Sequence, residues 1–218
     1  NLRDDARVTP APFFETFLSR AFRRPVTENE KAKYRELFIA VYSQTNDRRL
    51  AYKRLIDTVL ISPQFLFKTE SLSGKQESYR IGQFELANRL SYFLWASMPD
   101  EELFELAKQK KLFDQAVLNE QVQRMLNSPK ADTLGSVFGG QWLGFQHLGT
   151  RIRMDPIDNP WCTESLMSAM RQETAMLLSH TIRHNKPATE LLLADYTFLN
   201  EELAQHYRIP NILGDHLR

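Results

Sequence analysis

The chain has 218 residues, 42% of them hydrophobic and 25% charged, which excludes disordered and collagen-like classes and leaves enough apolar side chains for a core without disulfide or metal support. A formal charge of +1 gives no global field to gather nucleic acid or anionic lipid, and no apolar run approaches the ~20 residues of a membrane helix, so neither nucleic acid nor a membrane span is expected. Long periodic apolar segments with only 8 Gly disfavour a sandwich or barrel and predict an all-α chain.

The first predicted helix runs from about Phe13 to Arg23, where Pro25 disfavours helix in the residue before it. Thr27 followed by Glu30 spells a capping box, and Tyr34, Phe38, Val41 and Tyr42 fall on one face of the helix it opens. Asn46 or Asp47 caps a third helix carrying Leu55, Ile56, Val59 and Leu60 until Ser62-Pro63 stops it. The polar, aperiodic stretch from Glu70 to Tyr79 is the expected linker, dividing a three-helix unit, residues 1–70, from a larger helical unit, residues 71–218.

Beyond the linker, Leu86, Leu90, Phe93 and Leu94 mark a helix whose apolar surface is widened by Tyr92 and Trp95, so burial is expected along most of it. Asp100, Glu101 and Glu102 open the next helix and Lys108, Lys110 and Lys111 close it, each charge at the end of the peptide dipole that favours it. Asp114 caps a helix with Val117, Val122 and Met125. Another follows Pro129, carrying Leu134, Val137, Phe138, Trp142 and Leu143. Adjacent Gly139 and Gly140 cost a helix about 2 kcal/mol relative to alanine and predict a kink or a close crossing. A long helix with Met167, Met170, Thr174, Leu177, Leu178 and Thr181 in a stripe comes next, then a turn or short strand over Asp195 to Phe198 and a last helix from about Asn200 to Tyr207.

Several of these segments carry a family resemblance in their wording and order. Phe17-Leu18-Ser19-Arg20-Ala21-Phe22-Arg23-Arg24-Pro25 and Leu60-Ile61-Ser62-Pro63-Gln64-Phe65-Leu66-Phe67 precede Glu85-Leu86-Ala87-Asn88-Arg89-Leu90-Ser91-Tyr92-Phe93-Leu94-Trp95, Met98-Pro99-Asp100-Glu101-Glu102-Leu103, Gln141-Trp142-Leu143 and Asp195-Tyr196-Thr197-Phe198-Leu199-Asn200-Glu201. Together they resemble the paired PSD-type domains of unknown function of large exported planctomycete-type proteins that also carry cytochrome-c-like haem segments. The resemblance implies an exported location and, as partners, other domains of a parent protein, a haem domain among them. It assigns no catalytic residue. The single Cys162 leaves no Cys-x-x-Cys-His for covalent haem attachment, so no cofactor is expected within this chain.

Candidate chemistry is sparse. His180 and His184 stand four apart on the long helix, one turn from each other on one face, which is the spacing of two metal ligands. Glu173 lies seven residues before His180, about 10 Å along the axis, too far to share one metal with them. A third and fourth ligand would come from His147, His206, Asp195 or Glu201; the alternative reading is two histidines suited to the negative end of a helix dipole. Trp161, in a Pro-flanked loop, is the candidate for stacking on a sugar ring, whereas Trp95 and Trp142 are read as core. Arg20, Arg23, Arg24, Arg48, Arg49, Lys53 and Arg54 form either a basic face for an acidic partner or ordinary ion-paired helix surface. Met167 and Met170 fall on the packing stripe rather than in a haem or copper site, and no Gly-x-Ser-x-Gly, phosphate loop or dinucleotide fingerprint is present. Two functions remain: a non-catalytic helical scaffold or interaction module of a larger exported, haem-associated protein, or a metal-dependent oxidoreductase or polysaccharide-processing enzyme with a site expected between the two units.

Overall fold

Helices carry the chain throughout the computed structural model, which describes residues 11–68, 81–152, 154–155 and 157–218. The fold is all-α: among the described residues the only β feature is an isolated bridge between Leu148 and Ile152. In chain order the helices are α1 (Ala11–Phe22), α2 (Glu28–Thr45), α3 (Arg48–Leu60), the single turn α4 (Pro63–Leu66), α5 (Gln83–Trp95), α6 (Glu101–Lys108), α7 (Gln115–Leu126), the short α8 (Gly140–Trp142), α9 (Glu164–Arg183), the single turn α10 (Glu190–Leu193) and α11 (Glu201–Tyr207). The expected linker at Glu70 to Tyr79 lies outside the described residues. No described helix is long and apolar enough to cross a membrane. The chain divides into two units, one of Asn1–Arg89 with Pro99–Phe113 and one of Leu90–Met98 with Asp114–Arg218.

In the first unit, α1, α2 and α3 bury Phe14, Leu18, Phe22, Tyr34, Phe38, Leu55 and Val59 in one core. Its rings meet edge to face, Phe38 with Tyr52 at 4.8 Å and Phe14 with Phe38 at 6.3 Å, the arrangement the aromatic quadrupole favours. Thr27 forms the capping box with Glu30 that its spacing announces, and Asp47 caps α3 through the amide of Leu50. Arg24 pairs with the Glu30 carboxylate at 2.7 Å. That pairing, with the amide of Thr27, holds Glu30 down at about 2 although partial burial opposes it.

Arg23 is buried rather than part of a basic face. It follows α1 in the left-handed region, φ +57°, while the amide of Arg24 reaches back to the carbonyl of Ser19, so α1 ends as a Schellman-type cap without glycine. Its guanidinium donates to the carbonyls of Gln64, Phe65 and Phe67, which α4 leaves unsatisfied at its end. In the same unit Leu103, Ala107 and Leu112 are buried, and Gln83 both donates to the carbonyl of Lys110 and accepts from the amide of Leu112.

In the second unit the chain after Pro129 winds into a π-helical segment, Leu134–Gly139, that lies against α9. Glycine makes the approach feasible. A Cβ on Gly135 would fall 2.1 Å from the carbonyl oxygen of Ala175 and 2.2 Å from Ser179 Oγ, and one on Gly139 would fall 2.4 Å from a Leu178 methyl. The expected close crossing at the glycine pair is therefore present, with Gly135 as its tightest point. Trp95 is core as read: its indole donates to the carbonyl of Met125 at 2.9 Å, and Lys130 and Arg124 lie over its ring. Leu166, Ala169, Leu199, Leu203 and Ala204 form a further core where α9 meets α11. The segment Asp195 to Phe198 is irregular rather than a strand, and Leu199 instead exchanges two backbone hydrogen bonds with Arg218.

Candidate functional site

The C-terminal end of α9 brings together most of the chain's candidate chemistry. His180 is in its last turn and His184 is the residue that ends it, and their rings lie face to face with centroids 4.0 Å apart and planes 29° from parallel. Tyr196 and Phe198 pack on His180 at 5.5 and 5.6 Å. His184 Nδ1 lies 2.9 Å from the carbonyl oxygen of His180; a carbonyl only accepts, so Nδ1 carries the proton and Nε2 keeps the lone pair when this ring is neutral. Burial first, then the neighbouring His184 and Lys186, lowers the His180 pKa below the ordinary histidine value, and Glu190 opposes the shift.

Beside the pair, Lys186 Nζ donates to Tyr196 Oη at 2.8 Å, and Tyr196 Oη donates in turn to Glu190 Oε2 at 3.1 Å. Lys186 is also 3.9 Å from Glu190 and 4.4 Å from the Tyr196 ring centre. Its pKa is raised chiefly by the bond to Tyr196. This chain of groups ties the loop after α9 back onto α10 and the irregular segment before α11.

Of the other predicted ligands, Asp195 is close enough to help raise the Lys186 pKa, and the rest are engaged elsewhere. His206 stacks on Trp161 at 5.1 Å, His147 meets the Gln146 amide at 3.1 Å, and Glu201 accepts from the amide of Gly214. Asp195 is exposed. Among the described residues no three His, Cys, Asp or Glu side chains are grouped to hold a metal ion. Imidazoles sharing a tetrahedral metal splay their centroids to about 5 Å, given metal–nitrogen bonds near 2 Å, so binding by His180 and His184 requires a side-chain rotation from the stacked pose.

Glu173, set apart from the histidines by helix geometry, has a structural task. It accepts from Thr197 Oγ1 at 2.5 Å and from the Tyr207 phenol at 2.9 Å, fastening the segment before α11 and the last residue of α11 to α9. Burial and then this carboxylate push Tyr207 up to about 12. Trp161 is half exposed, with His206 stacked on its ring.

A second surface of the same unit was not anticipated. Phe93 on α5 and Trp142 on α8 were expected in the core, yet they are 62% and 58% exposed, and Phe138 in the π-helical segment is 43% exposed. Phe138 is the middle ring, 6.2 Å from Phe93 and 5.8 Å from Trp142. Val137 and Leu143 extend the apolar ridge. The reason lies in the helix: the glycine face, not the aromatic face, lies against α9, so the bulky residues turn outward. A sequence signal for this surface exists. From Thr133 to Thr150 the chain has no Asp, Glu, Lys or Arg, and such charge depletion with aromatic enrichment is a property of interface cores as well as interiors.

The family model PSD4, described as a protein of unknown function (DUF1592), matches residues 81–209, more than half of the chain. The chain belongs to the PSD4 family. Residues 11–70 match a second model, PSD5, also described as a protein of unknown function (DUF1595), so the pairing of PSD-type domains is present in this chain. No curated protein and no solved structure matches it.

Proposed function

We propose that this PSD5–PSD4 pair is a non-catalytic interaction module of a larger exported protein, docking other domains of that protein, a haem domain among them. The observation that carries the reading is the exposed ridge of Phe93, Phe138 and Trp142, because a contiguous apolar patch on a folded surface marks a site of association. Titratable groups around α9 are occupied in holding the fold: Glu173 with Thr197 and Tyr207, Lys186 with Tyr196 and Glu190, and Glu202 with Thr163 and Ser165. Export and the haem partner rest on the family resemblance. Calorimetric titration of the 218-residue chain with the remaining segments of its parent tests the reading. Phe138→Lys and Trp142→Lys should weaken association at least tenfold while His180→Ala leaves it unchanged. Equal binding by all variants, with self-association of the chain equally unaffected, would refute it.

A metal-dependent enzyme is the second reading, favoured by the free Nε2 lone pair of His184 and the neutral tendency of His180 beside it. Trp161 would then offer a stacking surface for a sugar. Stoichiometric zinc, iron or copper in protein purified without a histidine tag, lost in His180→Ala and His184→Ala, would favour this reading over the first.

A further inference from the structure

We infer that the ridge of Phe93, Phe138 and Trp142 is a self-association surface, and that its occupant is a second copy of this chain. The inference rests on the interaction-module reading and takes the partner at this ridge to be a second copy, in place of another domain of the parent. An interface across a two-fold axis brings each residue near its own counterpart, so any charge close to the axis faces the same charge. The ridge avoids that conflict. The segment that builds most of it, Thr133 to Thr150, lacks Asp, Glu, Lys and Arg altogether in a chain that is 25% charged. The first acidic residue before that segment, Asp132, is already matched within the chain by Arg183 at 2.7 Å, which places a neutralised pair beside the segment.

The area also suits a pair of copies. Three aromatic rings about half exposed, with Val137 and Leu143, present on the order of 400 Å² of apolar surface. A standard interface buries about 800 Å² per partner, and in homodimers about 65% of it is apolar, so the ridge supplies most of the apolar centre that such a dimer needs. Phe138 touches both other rings and is the expected anchor, each ring counting twice in a symmetric contact.

Sedimentation velocity of the 218-residue chain, under reducing conditions that keep Cys162 from cross-linking, tests the inference. From about 1 to 200 µM the weight-average mass should rise from 25.5 kDa toward twice that value, and the rise should persist at high salt because no ion pair carries the contact. Phe138→Lys and Trp142→Lys, both at exposed positions, should weaken dimerisation at least tenfold with unchanged helical circular dichroism. A monomer over the whole range overturns the inference, as does a dimer insensitive to both substitutions. If the chain is monomeric but the same substitutions abolish binding to other segments of the parent, the occupant is heterotypic and the module reading stands. If they alter neither, both readings fall.

Discussion

Replacing Gly135 with alanine probes the packing on which the second unit depends. The added Cβ would be 2.1 Å from the backbone oxygen of Ala175 and 2.2 Å from Ser179 Oγ, where ordinary Cβ contacts begin at 3.4 Å. Ser179 can rotate, but the Ala175 carbonyl is held inside α9, so the crossing must open by more than an ångström. Overpacking of this severity costs about 3 kcal/mol, and the better helix propensity of alanine returns about 1 kcal/mol, leaving a net loss of about 2 kcal/mol. Gly139→Ala is the internal comparison: its Cβ would meet a Leu178 methyl at 2.4 Å, at the end of a side chain that can move, so about 1 kcal/mol or less is expected. Urea unfolding followed by tryptophan emission isolates the effect, because Trp95, Trp142 and Trp161 are the chain's three tryptophans and all belong to the second unit. With a slope of about 2 kcal/mol per molar, Gly135→Ala should lower the midpoint by about 1 M. A wild-type midpoint for Gly135→Ala, or a larger loss for Gly139→Ala, would refute the assigned crossing.

Three further outcomes follow from the electrostatics. Glu30 is held at about 2 in the fold against about 4.5 unfolded, so the stability it adds is complete above the upper value and is lost as pH falls toward the lower one. After allowing for solvent around Arg24, Glu30→Gln should cost about 1 to 2 kcal/mol at pH 7 and less than about 0.5 kcal/mol at pH 2, measured by chemical unfolding. For His180 the folded pKa is depressed and the unfolded chain takes up its proton first; stability of the second unit should therefore fall as pH drops below about 6.5, and His180→Phe should flatten that part of the profile. Glu173→Gln should destabilise the same unit by about 1 to 2 kcal/mol, since two bonds to a charge are weakened, and should bring the Tyr207 titration, read by phenolate absorbance, down from about 12 toward 10.

Much of the helical order was legible in the sequence because local signals and burial agreed. The capping box at Thr27 and Glu30, the caps at Asp47 and Asp114, and the spacing of Tyr34, Phe38, Leu55 and Val59 each report on the helix that contains them. Orientation was less legible. Periodicity placed Phe93, Phe138 and Trp142 on apolar faces but could not say that the glycine side of their segment would face α9 and turn the aromatics outward. Arg23 was hidden for a different reason: its partners are backbone carbonyls more than forty residues away, which composition does not encode. At the candidate site, the spacing of His180 and His184 foretold their meeting, while the stacked pose and the Lys186–Tyr196–Glu190 chain depend on how the loop after α9 returns.

Hydroxyl-radical footprinting of the isolated chain, diluted below about 1 µM so that it is monomeric, and of the assembled parent protein measures most directly whether this surface serves association rather than chemistry. Association through the ridge predicts strong protection of Phe93, Phe138 and Trp142 on assembly, with labelling of His180 and His184 unchanged. Equal labelling of the three rings in both states, with protection confined to the histidine end of α9, would contradict it.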